Sequence, residues 1–392
     1  MRRSISTRTD TTTSSNTNPL PTHCIPFPLI SMSATLPLPE LETLALQAAP
    51  LRVLAWPIDP RNPYTALLYE QMEPRAFVDE FSPFMLMHRY DVWHVHWPES
   101  LLNIRNPALA AFKLSTFLAM IDLVRLRGGR IVWTVHNLRA HDALHPRLEA
   151  GFWPRFIARV DGLISLSATG LRMVWERFPG LRPLPAAIIP HGHYRDLYPC
   201  CAIDAKAELG IPADARVILF FGGLRAYKNV HALVRAFRNV RDANAFLLIA
   251  GSPADAALGE SLAKQATGDH RVRLALQFIE RDRVESFFAA ADLVVLPYRH
   301  ILNSGSALLA LSFNRPVLVP DLGSMGDLKA DFGADWVNTF ASDLDASELE
   351  RALDWASCPR ASICPMPERY EWNSIRSETL KLYKRVIATQ HR

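Results

Sequence analysis

A glycine turn followed by two cations is the stretch of this chain best suited to bind an anion. Residues 216–231 read RVILFFGGLRAYKNVH. Gly222 and Gly223 end an apolar run, and glycines at that place let a ligand approach the backbone without meeting a Cβ atom. Arg225 and Lys228 follow at a spacing that can direct both charges at one anion. The segment predicts a phosphate site that includes Gly223, Arg225 and Lys228, with an ordinary turn bearing two solvated cations as the alternative.

A second group of hydrogen-bond donors stands in the segment LNSGSALLAL. Ser304, Gly305 and Ser306 begin a predicted helix there. Hydroxyl and backbone N–H groups at a helix start can bind phosphate, so these residues are predicted to contact the same anion. A helix N-cap without a ligand is the alternative.

Candidates for proton transfer follow predicted strands in the N-terminal half. Glu99 follows DVWHVHWP, and Asp142 follows VWTVHNLRAH. Either carboxylate could accept a proton from a substrate hydroxyl, and His136, near the end of the second strand, is a third candidate. His94 and His96 alternate with a valine and therefore share one face of their strand. We expect His94 to be a core residue, whereas His96 is either a sugar contact or a core residue.

Two further segments offer groups to a sugar or an acceptor. Asp59, Arg61 and Asn62 lie in the loop DPRNP after the first predicted strand, where turn chemistry also explains their types. His191 lies in the link between the two halves of the chain and can contact a phosphate or a sugar. Packing at a hinge is the alternative for His191.

Alternating strands and helices must position all of these groups. From Leu51 to residue 190 strands alternate with helices, and the alternation restarts at RVILFF. This pattern predicts two Rossmann-like α/β domains with parallel sheets whose strand ends face each other across a cleft. The predicted divisions are a disordered extension, an acceptor domain, a nucleotide-sugar domain and a closing helix, at residues 1–49, 50–195, 196–369 and 370–392.

Composition excludes several classes of protein. The 392 residues carry a net charge of +4, and no basic run is interleaved with aromatic residues, so no nucleic-acid partner is predicted. The five cysteines form no CxxC pair, which argues against a zinc site and a disulfide framework and favours the cytoplasm. Residues 107–126 are apolar enough to test as a membrane span, but Lys113, Asp122 and Arg125 make spanning costly. The interpretation is an amphipathic helix that packs on its own sheet or lies on a membrane surface.

Several ordered segments resemble the glycosyltransferases of the GT-B fold, which place a sugar nucleotide mainly on the C-terminal of two Rossmann domains. FFGGLRAYKNV resembles their diphosphate-binding segment, and IPHGHY resembles their interdomain motif. LQFIERD is similar to the segment that lines the nucleoside pocket, which implies this role for Phe278, Ile279 and Glu280. YEWNSIRSETLKLYKRVI is similar to the helix that crosses back to the N-terminal domain.

One departure from the family is informative. Retaining members carry two glutamates before the strand that begins with Pro316 and Val317, and Ile301 and Leu309 occupy these places here. The missing carboxylates favour inverting chemistry. The one DxD, at residues 343–345, precedes a polar helix and is predicted to cap it, so neither a metal nor a cofactor is expected.

Three N-terminal segments resemble a narrower group, the bacterial β-mannosyltransferases of xanthan-type exopolysaccharide assembly. These segments are residues 55–69, 91–100 and 132–142. The resemblance implies GDP-mannose as donor, a polyprenyl-diphosphate-linked oligosaccharide as acceptor, and peripheral attachment to the inner face of the cell membrane. A retaining transferase with an atypical site, an inactive GT-B module that binds nucleotide or glycan, and a sugar-nucleotide epimerase are the alternatives.

Overall fold

The computed structural model describes residues 49–389 apart from 59–61, 73–74, 83–86, 141–143, 196, 199–203 and 342. The predicted extension, apart from Ala49, and three predicted site residues therefore lie outside the described residues. These site residues are Asp59, Arg61 and Asp142.

The first sheet is parallel throughout and has the strand order β2-β1-β3-β4-β5-β6. Its strands are β1 Leu51–Trp56, β2 Ala76–Glu80, β3 Val92–Val95, β4 Arg130–Val135, β5 Gly162–Ser165 and β6 Ala186–Ile188. The helices between them are α1 Pro63–Tyr69, α2 Pro107–Leu126, α3 Pro146–Ile157 and α4 Ala168–Arg177.

The second sheet is also parallel, with the order β12-β11-β10-β7-β8-β9. Its strands are β7 Arg216–Phe221, β8 Ala245–Ala250, β9 Val272–Ala275, β10 Leu293–Val295, β11 Val317–Pro320 and β12 Val337–Phe340. The helices of this half are α5 Ala205–Glu208, α6 Val230–Phe237, α7 Ala256–Ala266, α8 Val284–Ala290, α9 Gly305–Ser312, α10 Met325–Phe332 and α11 Ala346–Ala356, and the last helix, α12, is Trp372–Ala388. Two parallel sheets with intervening helices confirm the predicted fold class.

The central strand β7 has the burial that its sequence predicts. The apolar run of β7 is fully buried from Val217 to Phe220, as expected for a central parallel strand covered on both faces. The edge strands β2 and β12 were not predicted. AFVDE has one buried residue, and VNTF is buried only at its two ends, so neither presents an apolar run.

Helix α2 is the one described helix that is long and apolar enough for a membrane span. Its best 18-residue window has a mean hydropathy of 1.6, and 28% of that window is buried in the protein. Two of its charged residues pair with neighbouring elements, because Asp122 receives two hydrogen bonds from Arg159, and Arg125 lies 3.2 Å from a carboxylate oxygen of Asp161. These ion pairs fix α2 to the first sheet. Phe112 on its outer side is 67% exposed.

The long helix α12 packs on the first sheet, although it follows the second sheet in the chain. Its Ile375, Leu382 and Val386 are buried in one cluster with Val53 and Leu68. The Arg376 guanidinium also donates to the Leu67 carbonyl. The final helix therefore belongs structurally to the half of the protein that contains the first sheet.

The DxD segment has the capping role that the sequence predicts. Oδ1 of Asp345 accepts a hydrogen bond of 2.8 Å from the Glu348 N–H and is the N-cap of α11.

Candidate active site

A cavity of about 700 Å³ lies between the carboxyl ends of the two sheets, and we call it the cleft cavity. Ligands of open α/β sheets bind at these strand ends. Ten of the predicted site residues line it: Asn62, His136, His191, Gly223, Lys228, Phe278, Ile279, Glu280, Gly305 and Ser306. Their convergence from both halves of the chain makes this cavity the candidate active site.

The turn after β7 forms a cradle around Gly222. This glycine has a φ of +124°, and a Cβ atom placed on it would lie 3.0 Å from Ser306 Oγ and 3.4 Å from Lys228 Nζ. A side chain at residue 222 would therefore occupy the space between the hydroxyl and the ammonium group. Gly222 lines the cavity together with the predicted Gly223, which is exposed.

Lys228 is held against this cradle in a partly buried position. Its Nζ lies 5.7 Å from the ring centroid of Tyr298, whose hydroxyl is hydrogen-bonded to Ser306 and Ser304. Burial, with a smaller contribution from Arg225, lowers the pKa of Lys228 to about 8. An ammonium group that is partly desolvated in this way gains most from an anionic ligand, because the ligand restores the stabilisation that water no longer provides.

Arg225 lies outside the lining of the cavity. The side chain is exposed, and Nη1 donates a 2.9 Å hydrogen bond to the Leu224 carbonyl. The sequence predicted that both cations would face one anion, whereas the structure places Lys228 in the cavity and Arg225 at its rim.

The residues of the SGS segment, 304–306, have two different roles. Ser304 Oγ accepts a hydrogen bond from the Ala307 N–H and is the N-cap of α9, which is the alternative that the sequence left open. Gly305 and Ser306 line the cleft cavity. A Cβ atom on Gly305 would lie 3.4 Å from both His191 Nε2 and the Tyr194 hydroxyl, so this glycine allows the interdomain link to approach the helix.

His191 has a fixed tautomer. Its Nδ1 donates to the Gly192 carbonyl at 2.9 Å, and therefore Nε2 accepts from the Tyr194 hydroxyl at 3.2 Å. Burial lowers the pKa of His191 to about 4, so the ring is neutral at neutral pH. It also contacts the ring of Tyr64 at a centroid distance of 4.6 Å.

The predicted nucleoside segment forms one end of the cavity. Phe278 is 50% exposed, Ile279 is partly buried and Glu280 is exposed. An exposed aromatic side chain at a cavity mouth offers a surface on which a base can stack. At the opposite end, Asn62 lines the cavity and caps α1 through its Oδ1, which accepts from the Tyr64 N–H.

His136 faces the cavity from the first sheet. Its ring stacks on Trp97 at a centroid distance of 4.1 Å, and Trp97 has the left-handed backbone conformation at φ +37°. Burial lowers the pKa of His136 well below its usual value. The ring is therefore neutral and can accept a proton.

Behind His136 lies a buried chain of hydrogen bonds, which we call the histidine–tyrosine network. His136 Nε2 lies 3.1 Å from His96 Nδ1, and His96 Nε2 lies 2.7 Å from the Tyr69 hydroxyl. That hydroxyl lies 2.8 Å from His94 Nδ1, and His94 Nε2 lies 2.7 Å from Thr134 Oγ1. The Tyr383 hydroxyl joins from α12 at 2.7 Å from His94 Nδ1.

The network can orient its protons in a single direction. Because each neutral ring and each hydroxyl donates one proton, His136 can donate to His96, His96 to Tyr69, Tyr69 to His94 and His94 to Thr134. In this arrangement Nδ1 of His136 keeps its lone pair. Reversing every bond places a proton on Nδ1 instead.

His94 on β3 and His96, the residue after β3, are thus structural parts of this network. His94 and His96 are completely buried, as predicted for His94. For His96 the structure differs from the predicted sugar contact, because both of its ring nitrogens are engaged with Tyr69 and His136. The alternation HVH places both side chains on the inner face of the strand.

Glu99 lies behind the cavity wall. It is 2% exposed, its Oε1 accepts a 2.7 Å hydrogen bond from Asn137, and its Oε2 is buried without a partner among the described residues. Burial raises the pKa of Glu99 to about 7. The carboxylate touches the cavity only through Asn137, which lines it.

Several residues of this site were not predicted from the sequence. Those that line the cavity are Trp97, Asn137, Tyr194, Tyr227 and Asn303. Trp97 is the last residue of one predicted strand of the first sheet and Asn137 closely follows another, which is the signal that could have identified them. No group of three potential metal ligands was found among the residues that the structure describes.

Sequence comparison shows that this chain is similar to known glycosyltransferases. A family model described as "Glycosyl transferases group 1" matches residues 215–354. A protein of Xanthomonas campestris pv. campestris, named "GDP-mannose:glycolipid 4-beta-D-mannosyltransferase", is 32% identical over 358 residues, which cover 88% of this chain and 94% of the relative. A "D-inositol 3-phosphate glycosyltransferase" of Kineococcus radiotolerans is 23% identical over 47% of each chain.

Solved structures of low sequence identity share the fold. HepE of Anabaena in complex with UDP has a TM-score of 0.62 at 15% identity, covering 86% of this chain and 100% of that chain. Sucrose-phosphate synthase of Thermosynechococcus elongatus has a TM-score of 0.55 at 17% identity, covering 82% and 83%. Their likeness supports the arrangement of two facing Rossmann-like domains.

Proposed function

The chain belongs to the group 1 glycosyltransferases of the GT-B fold, and on that premise we propose that it transfers mannose from GDP-mannose to a lipid-linked oligosaccharide with inversion at the anomeric carbon. The cleft cavity carries the proposal, because a desolvated lysine and a glycine cradle on one wall face a neutral histidine on the other. The choice of GDP-mannose and of a glycolipid acceptor rests on the name of the relative that is 32% identical.

The C-terminal wall would stabilise the leaving group. As the bond between the anomeric carbon and the β-phosphate oxygen breaks, its electron pair and negative charge pass to GDP. Lys228, Ser306 and the backbone at Gly222 are arranged around one space that a phosphate can fill. Preorganised donors of this kind stabilise charge that develops in the transition state without reorganisation of solvent, so we propose that no metal ion is needed.

The N-terminal wall would supply the base. In the arrangement with a free lone pair on Nδ1, His136 accepts the proton of the acceptor hydroxyl while the hydroxyl oxygen forms the new bond to the anomeric carbon. Burial disfavours the resulting imidazolium, and the hydrogen bond that Nε2 keeps to His96 offsets part of that cost. Asp142 lies outside the described residues, and Glu99 is separated from the cavity by Asn137.

Inversion is supported by the side chains opposite the base. Ile301 and Leu309 stand where the resemblance implies the glutamates of retaining enzymes, and Leu309 lines the cleft cavity. Residues 301–309 contain no carboxylate. A single displacement by the activated acceptor accordingly fits this wall better than chemistry that depends on those glutamates.

We further propose that the enzyme works at the inner face of the cell membrane in exopolysaccharide assembly. A lipid-linked acceptor must be met at a membrane surface. Helix α2 exposes Leu109, Phe112 and Leu126 at 44%, 67% and 85%, and Lys113 is exposed on the same helix. Apolar and basic side chains together suit an anionic membrane interface.

A donor screen followed by product analysis tests the function. Thermal unfolding is measured with GDP, UDP and ADP, since a ligand that binds only the native state raises the apparent stability. We expect GDP to raise the melting temperature more than the other two nucleotides. With GDP-mannose and a lipid-linked oligosaccharide, the product should be a β-mannoside. A preference for UDP would refute the donor assignment, and an α-linked product would refute inversion.

A further inference from the structure

A second cavity, of about 780 Å³, lies beside the cleft cavity and is also lined by both halves of the chain. We call it the arginine cavity, because Arg139, Arg177 and Arg299 line it together with His300. Among the residues that the structure describes, Glu176 is the only carboxylate in its lining. Three guanidinium groups in one lining therefore face a single negative charge.

Two of these cations, Arg139 and Arg177, lie near enough for their charges to repel each other. Arg177 is partly buried, and burial followed by the charge of Arg139 lowers its pKa. Its Nε is buried and has no hydrogen-bond partner among the described residues. Glu149 also acts on Arg177, but Oε1 of Glu149 already accepts from the Ala140 N–H and the Trp153 indole.

Like charges that lie close together in a partly desolvated place raise the free energy of the unliganded protein, and an anion lowers it. Guanidinium groups bind carboxylate and phosphate with two parallel hydrogen bonds each. The lining therefore has the chemistry of an anion site.

The arginine cavity is continuous with the proposed site of transfer. Asn137, Tyr227 and Asn303 line both cavities. Asn137 follows the proposed base His136 in the chain, so a ligand in the arginine cavity lies next to the position of the reacting hydroxyl. Lys228, which faces the leaving phosphate, lines only the cleft cavity of the two.

We infer that the arginine cavity binds an anionic group of the acceptor, a carboxylate or a phosphate, and thereby positions the acceptor hydroxyl at His136. The inference rests on the proposed glycosyl transfer but not on the identity of the donor sugar. Acceptor selection would then depend on charge as well as on the shape of the sugar.

Calorimetric titration of the full-length protein tests this site. GDP, or the nucleoside diphosphate that the donor screen identifies, is kept at saturation so that the cleft cavity is occupied. Inorganic pyrophosphate, methyl β-D-glucuronoside and methyl β-D-glucoside are then titrated separately. We expect one of the two anions to bind and the neutral glucoside not to bind. Binding of pyrophosphate identifies a phosphate site, and binding of the glucuronoside identifies a carboxylate site.

Variants assign the binding to the cavity. Arg139→Gln and Arg177→Gln should each weaken anion binding about tenfold or more, since each removes a charge-assisted contact. In transfer assays they should raise the KM for the acceptor and leave GDP affinity unchanged. The matched control is Arg235→Gln, an exposed arginine on α6 that lines neither cavity.

Two results would overturn the inference: no binding of either anion to the nucleotide-saturated protein, or unchanged binding in both variants. Arg139 is exposed, so its variant remains informative if loss of Arg177 destabilises the fold. A wrong donor assignment is recognised separately, because it changes the nucleotide screen and leaves the anion titration intact.

Discussion

The two walls of the cleft cavity are built in different ways. On the C-terminal wall, Gly222 and Lys228 come from the segment directly after β7, and Ser306 comes from the first turn of α9. On the N-terminal wall, His136 depends on side chains on or next to two strands, β3 and β4, and on two helices, α1 and α12, and the partners in its network are as far as 289 residues apart. The difference teaches that the proposed phosphate site is built largely from residues close in the chain, whereas the proposed base depends on the completed tertiary structure.

Loss of the base should give the largest effect and tests the N-terminal wall directly. Replacement His136→Ala is expected to lower kcat by about 10²–10⁴-fold, the usual range for a general base. GDP binding should be unchanged, because Lys228 and its cradle lie on the other wall. Steady-state kinetics with the lipid-linked acceptor and titration with GDP measure both quantities.

The pH profile of the unmodified enzyme distinguishes the two described base candidates. A base acts when deprotonated, so kcat/KM falls as the pH falls through its pKa. For Glu99 that fall would be centred at about 7, because burial raises its pKa to that value. For His136 it lies below pH 6.5, because burial lowers its pKa. An acid limb near pH 7 that disappears in Glu99→Gln would transfer the role to Glu99.

Loss of the cation on the C-terminal wall should have the next largest effect. We expect Lys228→Ala to lower kcat/KM for the donor by about 10²–10³-fold, as for removal of other groups that stabilise developing charge. In the unmodified enzyme, donor affinity should weaken as the pH rises through about 8, where Lys228 loses its proton. Lys264→Ala on the exposed side of α7 is the control. Near-normal turnover of Lys228→Ala would exclude its role at the phosphate.

A substitution inside the histidine–tyrosine network should have a smaller effect on kcat. Tyr69→Phe removes the hydroxyl that is hydrogen-bonded to both His96 and His94 and should lower kcat about tenfold, since each such hydrogen bond contributes roughly 0.5–1.5 kcal/mol. The acid limb of the pH profile should move, while the KM for the donor stays constant. The control is Tyr90→Phe, which removes another buried hydroxyl that donates to Asp79. Equal effects of both variants would reduce the network to a structural role.

The difference between the two walls of the cleft cavity also explains which features could be predicted from the sequence. The apolar run of β7, its glycine turn and Lys228 are neighbours in the chain, so their spacing alone led to the prediction of a phosphate site, which stays a prediction. The alternation of strands and helices likewise indicated the fold. Edge strands β2 and β12 escaped prediction because polar residues, Asp79 and Glu80 in β2 and Asn338 and Thr339 in β12, interrupt their apolar residues.

Contacts between residues that are far apart in the chain could not be predicted from the sequence. Nothing in HVH indicates that His96 meets His136 and Tyr69, because these contacts depend on the register of β3 beside β4 and on the position of α1. The capping role of Ser304 and the outward position of Arg225 depend on local backbone angles that residue types leave open. The arginine cavity similarly combines residues from both halves of the chain.

The position of α12 links activity to the order of synthesis. The strands that carry His94 and His136 leave the ribosome early, but Tyr383 follows His94 by 289 residues. At roughly 5–20 residues per second, the interval is on the order of tens of seconds. During that time α12 does not yet cover Val53 and Leu68, and the histidine–tyrosine network lacks the Tyr383 hydroxyl. A nascent chain would therefore acquire its nucleotide-binding half before the layer that supports its base is complete, so donor capture would precede transfer competence.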